Sequence, residues 1–297
     1  MIGRQARALL VARIALAVVI VPRAPGHVLV VTESGVPALA DAVDGLTASL
    51  GTSARVIDVD SPRGALDLAE ALRSRDAQVI VAVGSRALSE VAARKPAQPV
   101  IATMILRGAG VEATAQLTLD LPLAVPLGAI HTLLPRASRI GIIRNPLRSR
   151  DSIEALENQA RHEGFQTLIE DCDSPARLLK TLASLRNRVD VLLCFPDPDL
   201  YNPATIPPLV MASLEYRLPI VGFSPAFVHA GAAVGVYADY RAVGRQTAEL
   251  ALRAQHHEFR GEGSEESPSK VRVAVNQRIA RLLGLDFHLD AGVEVFR

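Results

Sequence analysis

The chain has 297 residues, with 32 Lys and Arg against 31 Asp and Glu, and 49% of it is apolar. That length accommodates two domains of about 130 residues each. A net charge of +1 with no basic block argues against nucleic acid as a partner, because nothing is concentrated to neutralise phosphates.

Residues 1–26, MIGRQARALLVARIALAVVIVPRAPG, contain no acid; the first is Glu33. Arg4 and Arg7 precede an apolar run from Ala8 to Val21, and Pro22 and small residues follow. This is the pattern of a secretory signal peptide, with Ala24 and Gly26 as the small residues before a cut and His27 as the new start. Arg13 interrupts the run, and the stretch from Ile14 to Val21 is too short to span a bilayer. An uncleaved N-terminal anchor and a cytoplasmic protein are the alternatives. Cleavage after Gly26 removes four arginines and no acid from a chain of charge +1, leaving −3.

From His27 onward, short apolar runs alternate with helical stretches. HVLVVTES reads as a buried strand and is followed by a helix over 37–50; ARVIDV is a strand before a helix over 63–74. QVIVAVG leads into a helix over 85–94, and PVIATM is the next strand. Near-continuous Val/Ile runs separated by helices indicate parallel strands covered on both faces. Residues 111–135 bridge to a second copy: VEATAQLTLD reads as a strand and LPLAVPLGAIHTLLP as a helix. The series then repeats, with a strand inside RASRIGIIRNP, a helix over 150–163, strand QTLIED, a helix over 175–187, strand DVLLCFPD, a helix over 203–217 and strand PIVGFS. In both copies an Asp (Asp76, Asp190) precedes an apolar strand, and a Pro (Pro99, Pro219) opens the next one. The unit of about 100 residues is an α/β lobe rather than a solenoid repeat. AAVGVYAD then reads as a strand entering an amphipathic helix with Asp239 as its N-cap. GEGSEESPSK (261–270) reads as a charged, solvated loop, and VRVAVNQRIARLLGL as a last strand and helix.

The two cysteines, Cys172 and Cys194, lie after the second and third strands of the second lobe. In a doubly wound order those strands flank the first, about 10 Å apart and beyond disulfide reach; two buried thiols are expected.

The chain lacks a phosphate loop, an HExxH pair, a GxSxG elbow and a GxGxxG fingerprint. His256, His257 and Glu258 fit a solvated helix end, where a histidine is favoured by the dipole. Asp171 and Asp173 suit turns. No catalytic residue, metal or cofactor is expected.

The stretches DAQVIVAVGSRAL, LLPRASRIGIIRNP, RLPIVGFSPAFVHAGAAVGVYADYRAVGRQTAELALR and VAVNQRIARLLGL together resemble the ABC-transporter substrate-binding protein family, whose better-known members bind aromatic amino acids. The resemblance covers roughly residues 70–104 and 135–295. It implies the type I periplasmic binding protein fold: two doubly wound, Rossmann-like parallel-sheet lobes joined by three crossings. The first lobe is expected over 27–113 with a C-terminal return over 239–297, and the second over 114–238 with the crossover strands. One departure stands out. MILRGAGVEATAQLTLD is shorter than its counterpart in the family and lacks the family's Asp-Pro and Gly-rich run, so ligand identity does not carry over. The missing Trp and the 4% aromatic content also sit poorly with an aromatic ligand.

Open parallel sheets bind ligands at the carboxyl ends of their strands. That rule picks Glu33, Ser34, Ser85, Arg86 and Thr103 in the first lobe, and Asn145, Asp197 and Ser224 in the second, with Tyr237 on a hinge strand. Ser85, after a glycine at a helix start, would help hold an anion, or serve as a plain N-cap. Arg86 and Arg144 would add positive charge, or lie on the surface. Asp197 would receive a ligand amine, or form a turn with Pro196 and Pro198. Tyr237 would border the cleft, or pack as a hinge aromatic. The expectation is a periplasmic, monomeric receptor for an amino acid or small carboxylate, delivering to an ABC permease. A receptor for a membrane sensor, an enzyme on the same scaffold and a degenerate member that binds no ligand are the rivals.

Overall fold

The computed structural model describes residues 27–297 apart from 109, 111, 149–151, 260–262 and 288–291; the segment read as a signal peptide lies outside the described residues.

The first lobe is a parallel sheet of β1 (His27–Thr32), β2 (Ala54–Asp58), β3 (Ala77–Val83), β4 (Val100–Ile105) and β5 (Ala115–Thr118), in the order β5-β4-β3-β1-β2. Successive side chains of a strand face opposite ways, and β1 shows the result. Val28 and Val30 pack with Leu39 and Leu46 of α1 (Pro37–Leu50), whereas Leu29 and Val31 pack with Leu68 of α2 (Gly64–Ser74) and Leu88 of α3 (Ser85–Ala92). Both faces are therefore covered, and the unbroken apolar runs follow from that. Met104 has a φ of 56° and sits at a register shift in β4.

The second lobe follows α4 (Ala124–Leu133). Strands β6 (Arg139–Arg144), β7 (Gln166–Asp171), β8 (Val191–Leu193), β9 (Ile220–Gly222) and β10 (Val234–Ala238) alternate with α5 (Ile153–His162), α6 (Leu178–Leu185), α7 (Ile206–Glu215) and α8 (Pro225–Ala230). Their order, β10-β9-β8-β6-β7, mirrors the first sheet. Helix α8 was not expected, although Ser224 and Pro225 are its N-cap and first residue and make a standard helix start.

After β10 the chain returns to the first lobe as α9 (Tyr240–Gln255), which packs along α1. Asp239 caps it as expected, its carboxylate accepting from Ala242 N at 3.0 Å. The 261–270 segment is not all loop: β11 (Ser264–Glu266) adds to the open edge of β5 in parallel. It is held by Arg107–Glu265 at 2.6 Å and Arg253–Glu266 at 2.5 Å.

The domain limits drawn from the sequence change at two places. β5 hydrogen-bonds β4 and belongs to the first lobe, so that lobe runs past residue 113. The return over 239–297 also divides. Its first part stays with the first lobe, while β12 (Val271–Asn276) pairs antiparallel with β10 and β13 (Glu294–Phe296) parallel with β12, in the second sheet. Ile279 of α10 (Gln277–Leu283) packs in the second lobe's core. The cause is the third crossing, at 267–270, which returns the chain to the second lobe. Two of the crossings are tied together, as Asp239 N donates to Lys270 O at 3.0 Å.

The order β8-β6-β7 places the two cysteines on opposite sides of β6, and both are free and buried. Burial pushes the Cys194 thiol up to about 12. The thiolate is the reactive form, so a thiol-specific reagent is expected to label neither cysteine in the folded protein and both in denaturant; rapid native labelling would contradict the placement.

Candidate functional site: an inter-lobe cavity

The carboxyl ends of both sheets face a cavity of about 290 Å³ at the crossings. Leu106 and Leu119 come from the first lobe and its exit, Phe195, Asp197, Phe223 and Ser224 from the second, and Tyr237, Ala238 and Tyr240 from the second crossing. Ligand sites of this kind are mainly apolar with a few placed polar groups, and this lining matches. Of the seven Phe and four Tyr in the chain, Phe195, Phe223, Tyr201, Tyr237 and Tyr240 line this one cavity. The low aromatic content of the sequence therefore concealed a local concentration of rings.

The wall in the second lobe is rigid. Phe227, fully buried, meets Phe223 edge-on at 5.5 Å and Tyr201 at 6.0 Å between centroids. The Tyr201 hydroxyl donates to Ile143 O at 3.0 Å. A Cβ on Gly222 would come within 2.8 Å of the Phe227 ring, so only glycine allows α8 to lie this close to β9. The Ser224 hydroxyl accepts from Phe227 N at 3.2 Å, capping α8.

Three of the nine expected site residues reach the cavity: Asp197, Ser224 and Tyr237. Asp197 Oδ1 accepts from Asp199 N at 2.9 Å and Leu200 N at 3.0 Å. It is thus a turn-forming Asp that also faces the cavity, with Oδ2 outside these two bonds. Tyr237 is 3% exposed; its ring borders the cavity and lies near-parallel to Tyr240, and its hydroxyl donates to Glu294 Oε2 at 2.8 Å. Burial, and then the Glu294 carboxylate, push the Tyr237 phenol up. Arg272 completes this group, pairing with Glu294 and with Asp239 at 3.1 Å.

The other six lie elsewhere. Thr103 is buried, and its hydroxyl accepts from Thr247 of α9 at 2.9 Å, a tie between β4 and α9. Asn145 is buried, its Oδ1 accepting from Leu147 N at 3.0 Å in a turn. Ser34 hydrogen-bonds Asp58 through its hydroxyl and Asp60 through its N–H at 3.1 Å. Arg86 is ion-paired with Asp60. Ser85 is the first residue of α3 rather than its N-cap, which is Gly84 at φ 98°. The anion expected at this helix start is supplied from within. Glu33 Oε1 lies against Gly84. Burial pushes the Glu33 carboxyl up, Asp60 and Asp58 adding to the rise, while the Arg86 N–H and guanidinium pull it down. Arg144 pairs with Asp171 at 2.8 Å.

Among the described residues no helix is long and apolar enough to cross a membrane, and no His/Cys/Asp/Glu group is arranged to hold a metal ion. Residues that sequence reasoning missed, Phe195, Phe223 and Tyr240, each stand within a few positions of one it singled out. The signal that would have found them is the repeated placement of rings beside strand ends.

Comparison with known proteins agrees with this geometry. No match was found among curated protein sequences. Among solved structures, the ligand-free, open form of CD0873, a substrate binding protein with adhesive properties from Clostridium difficile, superposes with a TM-score of 0.69 at 16% identity, covering 91% of this chain and 99% of that one. An ABC domain in complex with L-Trp from Streptococcus pneumonia gives 0.64 at 17% identity, covering 92% and 100%. An ABC transporter solute binding protein from Bacillus halodurans with bound myo-inositol gives 0.51 at 15%, covering 89% and 99%. At these identities the likeness is one of fold, and it is the type I periplasmic binding protein fold. The family model for ABC transporter substrate binding proteins matches residues 58–288, most of the two lobes and all three crossings, and the chain belongs to that family.

Proposed function

We propose that the chain is the exported solute receptor of an ABC import system, and that it takes a small apolar molecule bearing an amine into the inter-lobe cavity without chemical change. The observation that carries this reading is the cavity itself: both lobes and their crossings contribute to one ring-lined space, so rotation about the crossings would close on whatever occupies it. Its volume of about 290 Å³ is near the lower end of the usual range of about 300–1,000 Å³ for ligand sites, which suits a ligand of one or two rings. Two proteins of the same fold hold L-Trp and myo-inositol, so fold alone does not choose the ligand; the lining does. Its apolar rings favour an apolar body, and Asp197 supplies a place for an amine. A small carboxylate with no apolar part finds no cation among the described residues of the lining.

The test is a thermal-shift panel on the chain from His27, with amines, amino acids, nucleosides, sugars and carboxylates. A ligand at 100 times its Kd stabilises the native state by about 2.7 kcal/mol, enough to raise Tm by several degrees. Apolar amine-bearing compounds are expected to give the largest rises. A shift with sugars alone would overturn the ligand class, and no shift across the panel would overturn the receptor role.

A further inference from the structure

Each arginine described at the carboxyl ends of the strands already has a carboxylate. Arg86 pairs with Asp60, Arg144 with Asp171 at 2.8 Å, and Arg148 with Asp199 through two hydrogen bonds of 2.6 and 3.2 Å. At the same strand ends, Asp58 accepts from the Ser34 hydroxyl, Asp120 from Arg107 N and Asp197 from two backbone N–H groups. Asp197 is also the one acidic or basic side chain, among those described, in the cavity lining.

A free amino acid needs two opposite receptors, an anion for its ammonium and N–H donors or a cation for its carboxylate. Here the first is present at Asp197. The lining offers no cation for the second among its described residues. A ligand carboxylate in the cavity would instead meet the Asp197 carboxylate, at a like-charge cost. The rings of Phe195, Phe223, Tyr237 and Tyr240 add to the preference for a cation, because aromatic faces attract positive charge.

Resting on the receptor reading above, we infer that the cavity selects an aromatic monoamine cation that lacks an α-carboxylate, in preference to the corresponding amino acid, with Asp197 as the ammonium acceptor.

The chain contains no Trp, so an indole ligand can be followed by its own emission. Tryptamine, L-tryptophan and indole-3-propionate present the same ring as cation, zwitterion and anion. Titrated into the chain from His27, with phenethylamine and phenylalanine run in parallel by thermal shift, the amines are expected to bind at least about 10-fold more tightly than the amino acids, and indole-3-propionate not at all. Asp197→Asn keeps the Oδ1 that accepts from Asp199 N and Leu200 N, so the turn survives, and it should weaken the amine by about 10-fold or more. Amino acid binding equal to or tighter than that of the amine would overturn this inference and leave the receptor reading standing. Amine binding untouched by Asp197→Asn would overturn the assignment of the acceptor. Failure of all five compounds, while another class in the wider panel shifts Tm, would overturn the ligand class; failure of the whole panel would overturn the receptor reading as well.

Discussion

Phe227→Ala is expected to cost about 3–5 kcal/mol of stability and to weaken ligand binding at the same time. Phe227 is fully buried, touches Phe223 and Tyr201, and fills the space left by Gly222 between α8 and β9. Truncation would remove its transfer energy and leave a void under two of the rings that line the cavity, which would then lose their backing and settle into more than one rotamer. Urea unfolding followed by far-UV circular dichroism measures the first effect, and titration of a cavity ligand at low urea the second. A loss below about 1 kcal/mol would show that the α8–β9 contact is looser than the packing around Gly222 indicates. A full loss of stability with unchanged affinity would show that the rings hold their places without Phe227.

The fold was legible because its signals are local. Val/Ile runs separated by helical stretches specify strands buried on both faces, and the second copy of the pattern specifies a second lobe. Asp239 as an N-cap, and the separation of Cys172 from Cys194 by β6, follow from spacing and winding order alone. What could not be read depends on pairings far apart in the chain. Ser264–Glu266 has the composition of a loop and becomes a strand because β5 offers it an open edge. Residues 271–297 join the second sheet because the third crossing turns toward β10. The site divides in the same way. The rule that ligands meet strand ends points to the end of the sheets where the cavity lies, but it could not tell which strand-end residues face the cavity and which are taken up by one another. Glu33 and Gly84 are about 50 positions apart, and no spacing rule shows that the carboxylate of one would occupy the helix start after the other. Thr103 looks identical in sequence whether it meets a ligand or, as found, Thr247. Composition misled once: few aromatic residues overall is compatible with many at one place.

Gly244→Ala is expected to destabilise the protein by about 2–3 kcal/mol and to leave affinity for a cavity ligand unchanged. Gly244 lies in α9, where Gly→Ala would ordinarily help a helix by up to about 1 kcal/mol. Here the packing reverses the sign. A Cβ at Gly244 would overlap the carbonyl oxygen of Ala42 and come within 2.7 Å of Leu46 N, both backbone atoms of α1 that cannot turn aside. Gly45 makes the reciprocal approach toward the Arg241 carbonyl, so the two helices touch backbone to backbone through a pair of glycines. This contact fastens α9 to the first lobe immediately after the second crossing, and α9 carries the Thr247–Thr103 hydrogen bond behind β4. None of these groups lines the cavity. Denaturant unfolding and ligand titration of the same variant therefore separate the scaffold from the site. A stability loss with unaltered Kd is the expected pair of results. A change in Kd comparable to the stability loss would mean that the seating of α9 on α1 sets how the lobes meet across the cavity, and that the crossings transmit packing in the first lobe to the ligand.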